Sequence, residues 1–180
     1  MDFLEYYLQY RPAKTGSDED YFPFNIEPQS DKGRWHDYIR CYYSPIFTDL
    51  KKSPVSIMEL GLSGGQSMLL WKNWFENLTF VGIDLGHQCD RFQDENTKVI
   101  VGNCYVPETV TKVGDAKFDF IIDDGSHILE DQLFFIENYY QFLNSNGRMI
   151  IEDIQSEDNL SILVEKCKEL NYNYKIFDLR

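Results

Sequence analysis

Positive charge is scarce in this 180-residue sequence: 17 Lys and Arg stand against 30 Asp and Glu, for a formal net charge of -13. Phosphate backbones and anionic lipid surfaces are held through a basic footprint, so neither nucleic acid nor membrane is expected as a partner. Long hydrophobic runs are also missing, and no apolar stretch reaches the roughly 20 residues that cross a bilayer. The amino terminus, MDFLEYYLQY, is acidic and aromatic where a secretory signal would be basic and then apolar. The cysteines Cys41, Cys89, Cys104 and Cys167 include no CxxC pair, which removes the common zinc and redox motifs. They read as reduced thiols of a soluble, intracellular protein, and a cytoplasmic location is expected. The dinucleotide fingerprint GxGxxG and the P-loop GxxxxGK[ST] are both absent. Together with the lack of a Tyr-x-x-x-Lys pair near the fifth strand, this argues against a nicotinamide-dependent oxidoreductase.

What is present is core material. Hydrophobic residues make up 43% of the chain, with 13 Phe, 12 Tyr and 3 Trp, enough for one domain spanning 1–180. Residues 1–10 read as a short helix. Residues 11–34, rich in Pro, Gly, Ser and charge, read as a loop or lid, and 35–49 as a helix that Pro45 ends or kinks. From residue 55 short apolar runs alternate with amphipathic ones: strands over 55–60, 79–84, 98–102, 118–123, 148–153 and 174–179, helices after 65, after Pro107, over 128–143 and over 157–170, and a turn at Asn146-Gly147. This alternation predicts an α/β fold: a Rossmann-like, doubly wound, mostly parallel sheet with helices on both faces, whose last edge strand is missing either because the end is truncated or because the sheet is short by one strand.

Glu59-Leu60-Gly61-Leu62-Ser63-Gly64-Gly65 falls between the first strand and a helix, where glycines let the backbone turn tightly and approach a ligand. Asp84 ends the second strand, the position from which a carboxylate accepts hydrogen bonds from ribose hydroxyls. Glu59 beside the first glycine is a poor neighbour for a pyrophosphate and a good one for an amino group and a sulfonium, so the expected nucleoside is S-adenosylmethionine. The glycine loop contributes Gly61, Ser63 and Gly65 to that site. Asn103, after the third strand, is placed to bond an adenine edge, or is a turn asparagine. Asp123 serves the cofactor or holds its loop, and Lys32 belongs to a segment that folds over the cofactor as a lid.

Asp123-Asp124-Gly125-Ser126-His127 ends the fourth strand and Glu152-Asp153 the fifth. Neighbouring strands lie about 4.8 Å apart. Asp124, Glu152 and Asp153 therefore converge, and a divalent cation relieves their repulsion; all-oxygen ligation favours Mg²⁺ or Mn²⁺. His127, three residues past Asp124, is the candidate general base. Each of these residues alone is as readily a turn or cap residue; their joint placement is what suggests a site.

These motifs resemble the metal-dependent sugar O-methyltransferases of the macrolide-sugar type, related to sequences called rhamnosyl O-methyltransferase or cephalosporin hydroxylase-like, within the class I S-adenosylmethionine-dependent methyltransferases. The resemblance covers about residues 30–155 and is carried by Ser30-Asp31-Lys32-Gly33 with His36 and Tyr38, by Glu59-Leu60-Gly61, by Asp123 to His127 and by Ile151-Glu152-Asp153. It implies metal ligation by Asp124, Glu152 and Asp153, a base at His127, cofactor contacts at Gly61 and Asp84, and a sugar or glycan hydroxyl as acceptor. A homo-oligomer is compatible with it. Asn103 departs from the acid that relatives often carry. Two other readings stand beside this one: a catechol-type small-molecule O-methyltransferase, and a non-catalytic nucleoside- or glycan-binding domain.

Overall fold

The computed structural model describes residues 1–10, 30–34 and 36–178. Residues 11–29 of the expected lid, with Trp35 and Leu179, lie outside the described residues. Packing divides the chain into two compact units, one formed by Met1–Pro54, Gly64–Leu78 and Phe177–Arg180, the other by Val55–Ser63 and Thr79–Ile176.

The first unit holds α1 (Phe3–Tyr10), α2 (Asp31–Arg34), α3 (Ser44–Leu50) and α4 (Gln66–Trp74). The helix expected over 35–49 is instead a π-helical turn, Ile39–Tyr43, running into α3. Pro45 is the cause: it has no N–H to return to the preceding turn, and it sits in the first turn of α3 where none is needed. The Ser44 N–H reaches back to the Ile39 carbonyl, the wide spacing of a π turn. Aromatic rings fill this unit. Phe3 lies 5.0 Å from Trp74, Tyr43 5.0 Å from Trp71 and Phe47 5.0 Å from Phe75, centroid to centroid. The Trp74 indole donates to the Phe47 carbonyl at 3.0 Å, so the buried ring leaves no polar atom unsatisfied.

The second unit is built on a sheet of β1 (Pro54–Leu60), β2 (Asn77–Asp84), β3 (Thr97–Val101), β4 (Phe118–Asp123) and β5 (Leu143–Ile151) in the order β3-β2-β1-β4-β5, parallel in register. Three helices accompany it: α5 (Pro107–Val110), α6 (Leu129–Tyr139) and α7 (Glu157–Glu169). Because successive side chains alternate, each inner strand buries both faces: Met58, Leu60, Ile83 and Ile121 on one, Ile57, Phe80 and Ile122 on the other. Phe135, Ile136 and Tyr139 of α6 and Leu163 of α7 complete the core of the first face. Ser156 caps α7, its hydroxyl accepting from the Asn159 N–H at 3.1 Å. Among the described residues no helix is long and apolar enough to cross a membrane.

Two sequence expectations change here. Asn146-Gly147 does not precede a strand; it lies within β5, which starts at Leu143 and carries a register shift opposite Phe118–Phe120. Asp119 accounts for the longer strand, accepting from Asn144 Nδ2 at 2.8 Å and from Ser56 N at 2.9 Å, which ties three strands at their amino ends. The strand expected over 174–179 is absent from its described part: 172–178 has no regular structure, and Tyr174, Ile176 and Phe177 are exposed. A β-propensity run becomes a strand only when a ladder partner accepts it, and 174–178 pairs with no described strand.

The thiols test the interior directly. Burial pushes Cys89 up to about 11 and Cys104 up to about 12, and both are fully enclosed. Only a minute thiolate fraction exists at about pH 8. Iodoacetamide is therefore expected to modify the partly exposed Cys41 and Cys167 first and to leave Cys89 and Cys104 intact in the native protein, read by peptide mass mapping. Labelling of Cys104 at the rate of Cys41 would contradict the core described above.

Candidate functional site

Strand order dictates where a ligand can enter. The chain builds outward from β1 through β2 to β3, then returns to place β4 on the other side of β1, and the crevice at such a switch point opens at the carboxyl ends of the strands. The first residues beyond β3, β1, β4 and β5, with Asp84 at the end of β2, form a row. Gly102 N donates to the Asp84 carbonyl at 2.9 Å, Gly61 N to Ile83 at 2.9 Å, Asp124 N to Leu60 at 3.0 Å and Glu152 N to Asp123 at 3.0 Å. Every sequence-predicted residue of the second unit lies on this row or within three residues of it.

Gly61 has φ of +82°, and a Cβ built on it would stand 2.2 Å from the Asp124 carbonyl oxygen. Here the turn after β1 and the turn after β4 touch backbone to backbone. Ser63 (φ +49°) continues the loop in the left-handed region, and Asp84 holds it from the side. Asp84 Oδ2 accepts from Leu62 N at 2.8 Å and Ser63 N at 3.0 Å, while Oδ1 accepts from Gly86 N at 2.8 Å and Gln88 Nε2 at 3.2 Å. The carboxylate read as a ribose contact thus also organises the glycine loop. Asn103 Oδ1 accepts from the Tyr105 N–H at 2.9 Å, the turn role that had stood as the alternative to an adenine contact. Glu59 is fully buried on β1. Lys32 and Gly65 belong to the first unit. Lys32 is fully buried, and Gly65 (φ +86°) precedes α4.

Three side chains meet at the ends of β4 and β5. One ligand atom each from Asp124, His127 and Asp153 lies within 4.8 Å of the others, and His127 Nε2 is 3.8 Å from Asp153 Oδ2. Glu152 is buried and stands outside this group of three. The sequence reading carried the fifth strand in extended form through Asp153. The strand instead ends at Ile151, and Asp153 adopts φ of +54°, which turns its carboxylate toward Asp124 and His127. His127 has φ of +59°. A left-handed non-glycine residue costs about 1–3 kcal/mol, and of the four in the described chain three (Ser63, His127 and Asp153) follow strands at this edge.

Two residues that sequence reasoning missed shape the same loops. The Tyr105 hydroxyl donates to Asp123 Oδ1 at 2.6 Å and accepts from the Ser126 N–H at 3.2 Å. Burial first, then the Asp123 charge, pushes that phenol far up, so it stays a neutral donor. Gln132 of α6 donates through Nε2 to the Glu152 carbonyl at 3.2 Å. A polar residue inside an apolar helical face was the one signal for Gln132; Tyr105 had none, being one tyrosine among twelve. Burial drives the Asp123 carboxyl up to about 7, against the hydrogen bonds from Tyr105 and the Gly125 N–H that lower it. Among the described residues, Asp123 Oδ2, His127 Nδ1 and Gln132 Oε1 are buried with no hydrogen-bond partner. Such atoms mark places where water or a ligand completes the structure.

No family model matches the chain. Among curated proteins it is 27% identical over 136 residues to the 8-demethyl-8-alpha-L-rhamnosyl tetracenomycin-C 2'-O-methyltransferase of Streptomyces olivaceus, covering 71% of this chain and 35% of that protein. Among solved structures it is similar to the MycE methyltransferase of mycinamycin biosynthesis in complex with Mg, SAH and mycinamycin VI, with a TM-score of 0.57 and 25% identity over 62% of this chain and 33% of that one. The fibrillarin of Methanococcus jannaschii shares the fold at a TM-score of 0.54 and 20% identity, over 71% of this chain and 60% of that one. The chain spans about a third of the length of the curated relatives it matches. Its fold is the Rossmann-like fold of class I methyltransferases, as the sequence reading expected.

Proposed function

We propose that this chain is an S-adenosylmethionine-dependent O-methyltransferase that uses a divalent cation, Mg²⁺ or Mn²⁺, and acts on a hydroxyl of a sugar or glycan. The observation that carries the reading is the convergence of Asp124, His127 and Asp153 at the switch point, beside the glycine loop that Asp84 braces. Two donors of one octahedral Mg²⁺ stand about 3–4 Å apart, so the Asp124 and Asp153 carboxylates of this group fit such an ion after small side-chain rotations, with His127 beside them. The sugar O-methyltransferase names of the curated relatives, and the Mg and SAH in the MycE structure, support the same chemistry.

When bound, the cation lowers the pKa of an acceptor hydroxyl and S-adenosylmethionine supplies the methyl group. Asp124 and Asp153 hold the cation, with Glu152 as the third carboxylate at the same strand end. His127 Nε2, in the same group, takes the hydroxyl proton, and its left-handed backbone aims the ring. The loop at Gly61 and Ser63, with Asp84, Asp123 and Asn103, holds the nucleoside, and Glu59 serves the same ligand. A cytoplasmic place of action accords with four free cysteines.

Calorimetric titration with S-adenosylmethionine and S-adenosylhomocysteine, with and without Mg²⁺ and with NAD as control, tests the reading. Micromolar binding of both sulfur ligands and none of NAD is expected, followed by methyl transfer to glycosides rather than catechols. A folded sample that binds neither sulfur ligand would overturn it.

A further inference from the structure

We propose that Tyr105 is the positioning residue of this site: its hydroxyl fixes the loop after β4 in the form that presents Asp124 and His127, and so sets metal affinity from the loop after β3. The inference rests on the metal reading above and adds to it a residue outside every motif in the sequence.

The two hydrogen bonds of the Tyr105 hydroxyl fall on Asp123 and Ser126, the residues that bracket Asp124-Gly125. One oxygen thus clamps both ends of the turn that carries the metal carboxylate. Gly125 is shaped to that clamp, since a Cβ there would stand 2.0 Å from the Tyr105 hydroxyl oxygen. Beyond Ser126 the order propagates: Ser126 Oγ donates to Asp131 Oδ2 at 2.6 Å and accepts from Ile128 N at 3.3 Å, so His127 is held on both sides in a conformation it would not choose. Tyr105 is itself anchored. Its N–H is bound by Asn103 Oδ1, and its ring packs on the buried core of the sheet. Hydrogen-bond partners of this kind, one step behind the ligands, fix ligand geometry and raise metal affinity.

Tyr105→Phe removes the clamp and keeps the ring. Mn²⁺ binding, followed by the loss of the free-ion electron paramagnetic resonance signal, is expected to weaken about ten- to hundredfold. At saturating metal kcat should fall by a larger factor than KM for S-adenosylmethionine rises, a split that general loosening of the fold would not produce. Hydrogen exchange at the Ser126 amide should quicken without metal. Asn103→Ala, at an exposed position, should shift Mn²⁺ binding in the same direction by less, and serves if the Phe variant folds poorly. Asp124→Asn is the control. If it loses Mn²⁺ while Tyr105→Phe and Asn103→Ala bind like the parent, the positioning role is wrong and the metal site stands. If the parent binds no Mn²⁺, or Asp124→Asn binds as tightly as the parent, the metal reading fails and the inference with it.

Discussion

Asp124→Ala is expected to abolish methyl transfer, by about a thousandfold or more, and to leave the protein folded. The size follows from the charge a cation places on the reacting hydroxyl, which stabilises the transition state by several kcal/mol. The variant keeps the backbone contacts of Asp124: its N–H donates to the Leu60 carbonyl, and its carbonyl lies against Gly61. Circular dichroism and the thermal midpoint should therefore match the parent while Mn²⁺ binding disappears. His127→Ala separates the two roles in the cluster. Its turnover should drop while Mn²⁺ and S-adenosylmethionine still bind. Full activity in Asp124→Ala would remove the metal from the mechanism.

Among the described glycines, Gly61→Ala should be the most damaging substitution. Two costs combine. Left-handed backbone at φ of +82° costs an L-residue about 1–2 kcal/mol. The new Cβ would also meet main-chain atoms, the Asp124 carbonyl oxygen at 2.2 Å and Gly125 Cα at 2.7 Å, which cannot rotate away. Overpacking of this kind adds about 1–3 kcal/mol. A thermal midpoint lower by about 5–15 °C is expected, together with loss of S-adenosylmethionine binding as the two strand-end turns are forced apart. A Gly61→Ala variant that melts and binds S-adenosylmethionine like the parent would show that the two turns do not meet as described.

The strand ends were legible because they are written in opposite chemistries side by side: short apolar runs leading into Asp84, into Asp123-Asp124 or into Glu152-Asp153 announce a buried strand meeting a wet crevice. Four of the five strands were placed to within about two residues for that reason. Pattern could not show what depends on a partner. YKIFD has the composition of a strand and no ladder to join, and Asn146-Gly147, a strong turn signal, is absorbed into β5 because Asp119 reaches across to hold Asn144. The site divides in the same way. Asp124, His127 and Asp153 could be named from their motifs, whereas the left-handed turn at Asp153 that separates it from Glu152 is a property of the backbone alone. Tyr105 was invisible because its importance lies in a contact 18 residues away in sequence.

The seam between β1 and β4 has a further consequence, for how the molecule is assembled. Ser56 and Asp119, bonded across it, are 63 residues apart in the chain. β1 through β3 and β4 with β5 can each form from nearby segments, but the central pairing must wait for the longest loop closure of the sheet, and closures of that kind slow folding. Until it occurs β1 presents an unpaired apolar edge, the hazard that makes such intermediates prone to aggregate. The same docking first brings Gly61 against Asp124, so the ligand crevice comes into being in the step that completes the fold, and a ligand bridging the two turns would favour that last step by mass action.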